Sequence, residues 1–172
     1  MDAYDNLLNR RSCRAYTDEM PSEELIGRVL KGGTYAATGR GKQSPVIIAV
    51  TDKAMRDRLS AMNAAVMGTR ADPFYGAPVV LIVLADRGIP TYLYDGSCVM
   101  QQLMLAANEA GLGSCWIHRA REEFNSDEGK QILRDLGIEG DYEGIGHCVL
   151  GFAAGKAREP LPRKDNYIYW IR

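Results

Sequence analysis

Val99, Leu103, Ala106 and Ala110 recur at helical spacing, and Met100, Met104, Ala107 and Gly111 form a second apolar line beside them. Residues 95–116 therefore predict a central helix with too little polar surface for a solvated exterior. Its polar positions, Gln101 with Asn108 and Gln102 with Glu109, make one narrow stripe that must reach solvent, a partner group or a ligand. The run Leu112-Gly113-Ser114 is expected to stop the helix at a glycine and to launch a short strand toward Trp116.

The same reading extends along the chain. Residues 2–9 pair Ala3 with Leu7 and Tyr4 with Leu8, which predicts a short helix. Ser22 caps a second helix, whose buried face is Leu25, Ile26, Val29 and Leu30 and whose continuation Gly32-Gly33 weakens. Residues 38–45 form a loop and 46–50 a buried strand. Thr51 or Asp52 then caps a helix with Met55, Leu59, Met62 and Val66 on its inner face and Arg56, Asp57, Arg58 and Asn63 turned to solvent. Residues 72–78 make a rigid aromatic connection into 79–85, a continuous apolar strand suited to a sheet covered on both faces. Gly88-Ile89-Pro90 ends that strand. Asn125, with Glu128 three residues on, is expected to cap a helix carrying Ile132, Leu133 and Leu136 and ending at Gly137. Residues 145–152 read as a further strand.

The chain's 172 residues, 46% of them hydrophobic, fit one well-cored domain over 1–172. Acidic and basic residues nearly balance, 22 against 21, so overall charge drives no nucleic-acid binding. No apolar run is long enough for a bilayer, and the amino terminus lacks a basic region followed by an apolar segment. A cytoplasmic protein is expected, with no membrane partner. Cys13, Cys98, Cys115 and Cys148 show no metal-ligand spacing, so no metal is expected; free thiols are the default, two disulfides in an exported protein the alternative. His118 has no acidic or cysteine partner at a diagnostic spacing for a metal site or a triad.

Three features remain for chemistry. Arg10-Arg11-Ser12-Cys13-Arg14 concentrates like charge, which suits either a solvated face or a bidentate phosphate contact. The loop at 38–45 holds two glycines and two basic residues without the spacing of a phosphate-binding P-loop; it is a flexible surface loop or a place where backbone amides approach a ligand. The tail carries Lys156, Arg158, Arg163 and Lys164, then the apolar run Tyr167-Ile168-Tyr169-Trp170-Ile171, which must dock on its own domain or on another subunit. Its prolines, Pro160 and Pro162, favour an extended arm.

The ordered set of the Arg10 to Tyr16 motif, the 38–45 loop, the 95–116 helix with its glycine turn, and Gly151-Phe152 followed by Arg163-Lys164 resembles the FMN-dependent nitroreductase-like oxidoreductases. The resemblance implies an α+β flavin fold: a central, mostly antiparallel sheet surrounded by helices. It implies a homodimer with FMN at the interface and a C-terminal arm, residues 153–172, crossing the partner. By the same resemblance Arg10, Ser12 and Arg14 match positions that contact FMN phosphate or ribityl groups, with Arg11 as their neighbour. Arg163, with Lys164 competing in register, matches the later phosphate-binding position. Gln43 matches the loop glutamine near the flavin, and Leu112-Gly113 the turn whose backbone approaches the isoalloxazine edge, while Tyr94-Asp95-Gly96 shapes an entrance. Gly41 and Ser44 depart from the residues common in that loop. No catalytic side chain is implied, because flavin N5 itself accepts hydride from a reduced nicotinamide. The expected activity is transfer of reducing equivalents from NADH or NADPH to a small organic acceptor such as a nitroaromatic or a quinone. The alternative is a non-catalytic flavin-binding or redox-sensing protein.

Overall fold

A computed structural model describes residues 2–172. Six helices, α1 (Ala3–Asn9), α2 (Glu23–Thr34), α3 (Lys53–Met67), α4 (Tyr92–Glu109), α5 (Ala120–Asn125) and α6 (Asp127–Asp135), surround four strands, β1 (Pro45–Val50), β2 (Val79–Asp86), β3 (Gly113–Ile117) and β4 (Tyr142–Gly151). The strands form one sheet in the order β1-β2-β4-β3, antiparallel at every step. The fold is α+β, as expected. Side chains of β2 alternate between two cores. Val80, Ile82 and Leu84 meet Leu59, Phe124, Ile132 and Leu133 on one face, and Val79, Leu81 and Val83 meet Val29, Val99, Met100 and Leu103 on the other. Helices on both faces explain why an antiparallel strand lacks the usual polar alternation.

The central helix α4 does pack as its periodicity predicts. It begins at Tyr92, three residues before the predicted stretch, and ends at Glu109, with Gly111 at φ 77° making the left-handed turn. Gly111, not Gly113, therefore stops the helix. The polar stripe is taken up by neighbouring helices. The Asn108 side-chain amide donates to Asn6 Oδ1 at 2.6 Å, and Arg28 pairs with Glu109 at 2.6 Å.

Tertiary contacts move several local expectations. Gly32 and Gly33 lie inside α2 because it crosses α4 closely: a Cβ at Gly33 would sit 2.5 Å from Leu103. Ser126 caps α6, its hydroxyl accepting from the Gly129 amide, since Asn125 already belongs to α5. Arg56 and Asn63, expected in solvent, are buried. Asp95 is buried as well, while Tyr94 beside it is exposed. Its carboxylate accepts from the Gly39 amide, the Ser44 hydroxyl and the Thr91 hydroxyl, tying the 38–45 loop to the start of α4. Gly96 allows Ile145 to approach; a Cβ would be 2.4 Å from it.

Residues 155–158 still line a cleft on the body, and beyond them the chain runs exposed. Leu161 and residues 167–171 are exposed, Trp170 at 75%, so the tail does not dock on its own domain. The outer edge of β1 has no neighbouring strand, whereas that of β3 carries the Ser12–Ser114 bridge.

Candidate functional site

Residues 12–17 are laced between two strand ends. The Cys13 amide donates to Ser114 O at 2.8 Å, the Thr17 amide to Phe152 O at 2.9 Å, and the Ala154 amide to Ala15 O at 2.9 Å. Gly113 makes this approach possible, because a Cβ there would lie 2.8 Å from both Cβ and Sγ of Cys13. Tyr16 donates its hydroxyl to Cys13 O at 2.9 Å, and burial pushes that hydroxyl's pKa far up, so it stays a neutral donor.

This lacing opens a cleft of about 430 Å³, within the range of cofactor sites, in which Arg11, Ser12 and Arg14 meet Leu112, Gly113, Lys156 and Arg158. The buried thiols of Cys115 and Cys148 contribute no charge. Burial raises Cys115, though Arg14 and Arg10 pull against it, and burial pushes Cys148 up to about 12. The cleft is instead lined by cations, Arg11, Arg14, Lys156 and Arg158, and Arg10 lies next to it in sequence without lining it. Arg11 Nη1 caps the end of α1 through Leu8 O at 2.7 Å, but its Nε is buried without an acceptor, as is Arg10 Nη1. Arg14 makes no hydrogen bond or ion pair within the described residues.

Arg14 also borders a second cleft, of about 230 Å³, at the far end of β3. Trp116, His118 and Arg119 line it. The Trp116 and His118 rings stack at 6.0 Å, and Arg119 stands at φ 78° as the residue before α5.

A model of the nitroreductase family matches residues 7–70 and 65–156, most of the chain. This chain belongs to the nitroreductase family. A relative from Archaeoglobus fulgidus, provisionally named an NADH dehydrogenase/NAD(P)H nitroreductase, is 28% identical over 94% of this chain and 87% of its own length. The FMN reductase (NADPH) of Bacillus subtilis is 25% identical over 70% of this chain and 55% of its own. In fold, the chain superposes with a TM-score of 0.89 on an FMN-bound nitroreductase from Bacteroides fragilis, at 22% identity and full coverage of both. An FMN-bound nitroreductase from Desulfitobacterium hafniense gives 0.86, at 24% identity over 98% of this chain and 97% of the other.

Within this nitroreductase fold, the sequence candidates divide. Arg11, Ser12, Arg14, Leu112 and Gly113 share the first cleft, with the buried Arg10 Nη1 unpartnered in the same motif. Gln43 does not line it: exposed at φ 50°, its amide donates to Thr38 Oγ1 in the loop anchored by Asp95. Arg163 and Lys164 also lie elsewhere, on the exposed arm beyond the matched stretch. Arg163 Nε donates to Leu161 O at 3.1 Å, and Lys164 rests 5.4 Å from the Tyr167 ring. The cations that do reach the cleft from the tail are Lys156 and Arg158. Sequence spacing could not choose among four basic residues on one extended segment. Nothing local marks Arg119, whose backbone conformation usually selects glycine. Nor does periodicity mark the wholly buried pair His147 and Glu123, 2.6 Å apart between Phe74 and Phe124. Among the described residues, no cluster of three or more His, Cys, Asp or Glu could hold a metal, and no helix is long and apolar enough to cross a membrane.

Proposed function

We propose that this chain is an FMN-dependent oxidoreductase that passes reducing equivalents from NADH or NADPH to a small organic acceptor such as a nitroaromatic or a quinone. The observation that carries the reading is the cationic cleft lined by Arg11, Arg14, Lys156 and Arg158, with Arg11 Nε buried and lacking an acceptor; Arg10, next in sequence but not on the cleft wall, also keeps a buried unpartnered nitrogen. A buried donor without a partner costs about 1–3 kcal/mol, and a doubly charged phosphate is the acceptor that would remove the cost several times over. Arg10, Ser12 and Arg14 would hold the phosphate and ribityl groups of FMN, joined by Lys156 and Arg158. Backbone at Leu112 and Gly113 would flank the cofactor. FMN held there would supply the hydride-transfer chemistry between a reduced nicotinamide and the acceptor. The residues' work is to bind that group, orient it and offset its charge. The names of the Archaeoglobus and Bacillus relatives support the nicotinamide donor, and the FMN in the two solved structures supports the cofactor.

The active form in this reading is a homodimer, with residues 153–172 as an arm laid on the partner. The exposed aromatic run 167–171 supports it, since such a surface is costly to leave in water. The open edge of β1 offers the arm a strand to pair with, and a second subunit would bring Gln43, Arg163 and Lys164 to a cofactor they do not reach within one chain. Deleting residues 167–172 should convert the dimer to monomer in sedimentation; unchanged mass and melting would remove the arm from this role.

The functional test is spectroscopic. Purified protein should carry near-stoichiometric FMN, bleach anaerobically on adding NADH or NADPH, and regain its colour with a nitroaromatic or quinone. FMN that binds but is bleached by neither nicotinamide would favour a redox-sensing or flavin-binding protein instead.

A further inference from the structure

We propose that Tyr16 is a positioning residue for the cationic cleft, its hydroxyl fixing the stretch that carries Arg14 so that the cofactor's phosphate, and not its ring, depends on it; this rests on the FMN reading above. The hydroxyl donates to Cys13 O at 2.9 Å, reaching back three residues past Ala15 and Arg14. The ends of this stretch are held without it, the Cys13 amide by Ser114 O and the Thr17 amide by Phe152 O. The phenol's bond therefore acts between those anchors. It fixes the Cys13 carbonyl, and with it the backbone from which Arg14 enters the cleft.

The ring is seated by the sheet. A Cβ at Gly151, the last residue of β4, would lie 3.1 Å from Tyr16 Cδ1 and 2.7 Å from Pro78 Cδ, so the bare glycine lets the ring rest against the strand. Tyr16 also bridges to Ala153, and the Ala154 amide donates to Ala15 O at 2.9 Å. The same few residues thus set the path along which the tail brings Lys156 and Arg158 into the cleft. Burial holds the hydroxyl neutral, and an uncharged donor steadies the motif without cancelling any of the positive charge an anion needs. A stretch left free would have to be ordered by the ligand, and that cost would be subtracted from affinity. It falls on the phosphate contacts. The Leu112-Gly113 backbone is held separately, its Leu112 amide donating to Ala107 O at 2.8 Å.

The test is fluorescence titration of cofactor-free protein with FMN and with riboflavin, which lacks the phosphate, in the parent and in Tyr16→Phe. The parent should bind FMN about tenfold to a hundredfold more tightly than riboflavin, the margin of charge-assisted phosphate contacts. Tyr16→Phe keeps the ring and should weaken FMN about threefold to tenfold, the loss of one neutral hydrogen bond, with the riboflavin dissociation constant unchanged. That unchanged constant also shows the variant to be folded. Equal affinities of the parent for the two flavins would overturn the phosphate assignment and this inference with it. A parent that prefers FMN, with Tyr16→Phe weakening neither flavin or weakening both alike, would overturn the role of Tyr16 alone.

Discussion

Arg56 and the Arg10 to Arg14 motif answer their guanidinium groups in opposite ways: Arg56 is buried, whereas Arg10 and Arg11 are half-buried and Arg14 is exposed. Arg56 is fully matched: it pairs with Asp72 and Asp57, donates from Nε to Ala77 O at 3.0 Å, and lies 5.5 Å from the Phe74 ring. In the motif, Arg10 Nη1 and Arg11 Nε are buried without acceptors, and Arg14 has no partner. A matched buried cation holds the fold together, whereas an unmatched one is a standing demand for an anion the chain does not supply. The contrast separates arginines answered by the fold from arginines left open to water or a ligand.

The largest effect is expected where matching is complete. Arg56→Met should lower stability in urea by about 2–4 kcal/mol, less than for a fully sealed pair because Asp72 keeps some access to water. FMN affinity of the folded protein should change little. The loss should also depend on pH. Burial alone would raise the Asp72 carboxyl, but Arg56, Ser60 and two backbone amides outweigh it and hold it below the ordinary value. A depressed folded pKa gives stability that is present above the unfolded value, about 3.9, and is lost as pH falls through the folded one. The gap between parent and Arg56→Met should therefore be constant near neutrality and close in acid; a gap that widens in acid would contradict the pairing.

Arg14→Ala should do the reverse. FMN should bind about tenfold to a hundredfold more weakly by fluorescence quenching, while the unfolding free energy of cofactor-free protein in urea changes by less than about 0.5 kcal/mol. Equal dissociation constants would return Arg14 to the solvated surface. The smallest effect belongs to a matched but exposed cation. Arg28 and Glu109 sit 2.6 Å apart with side chains 60% and 42% exposed, so Arg28→Ala should cost under about 1 kcal/mol. A cost equal to that of Arg56→Met would show that pairing, not burial, sets the scale.

Much of the fold was legible because it depends on spacing within one element. The packing role of α4, the Ser22 cap, the buried β2 strand and the Gly137 stop follow from periodicity and end chemistry. The misread positions are those where another element decides. Gly32-Gly33 looks like a helix breaker until α4 crosses it, and Asn63 looks solvated until the turn after β3 reaches it. The site divides in the same way. That Arg11, Ser12, Arg14, Leu112 and Gly113 line one candidate cleft follows from a compact motif and turn, whereas only the path of the tail separated Lys156 and Arg158 from Arg163 and Lys164.

The sequence by itself determined the elements, the apolar faces they bury and the presence of an arginine-rich motif, since each is written within a few turns or strand residues. Only the tertiary structure decided which arginines are answered. Whether a guanidinium meets a carboxylate, a carbonyl or an open cleft depends on groups tens of residues away, which is why Arg56 became a buried brace and Arg14 did not.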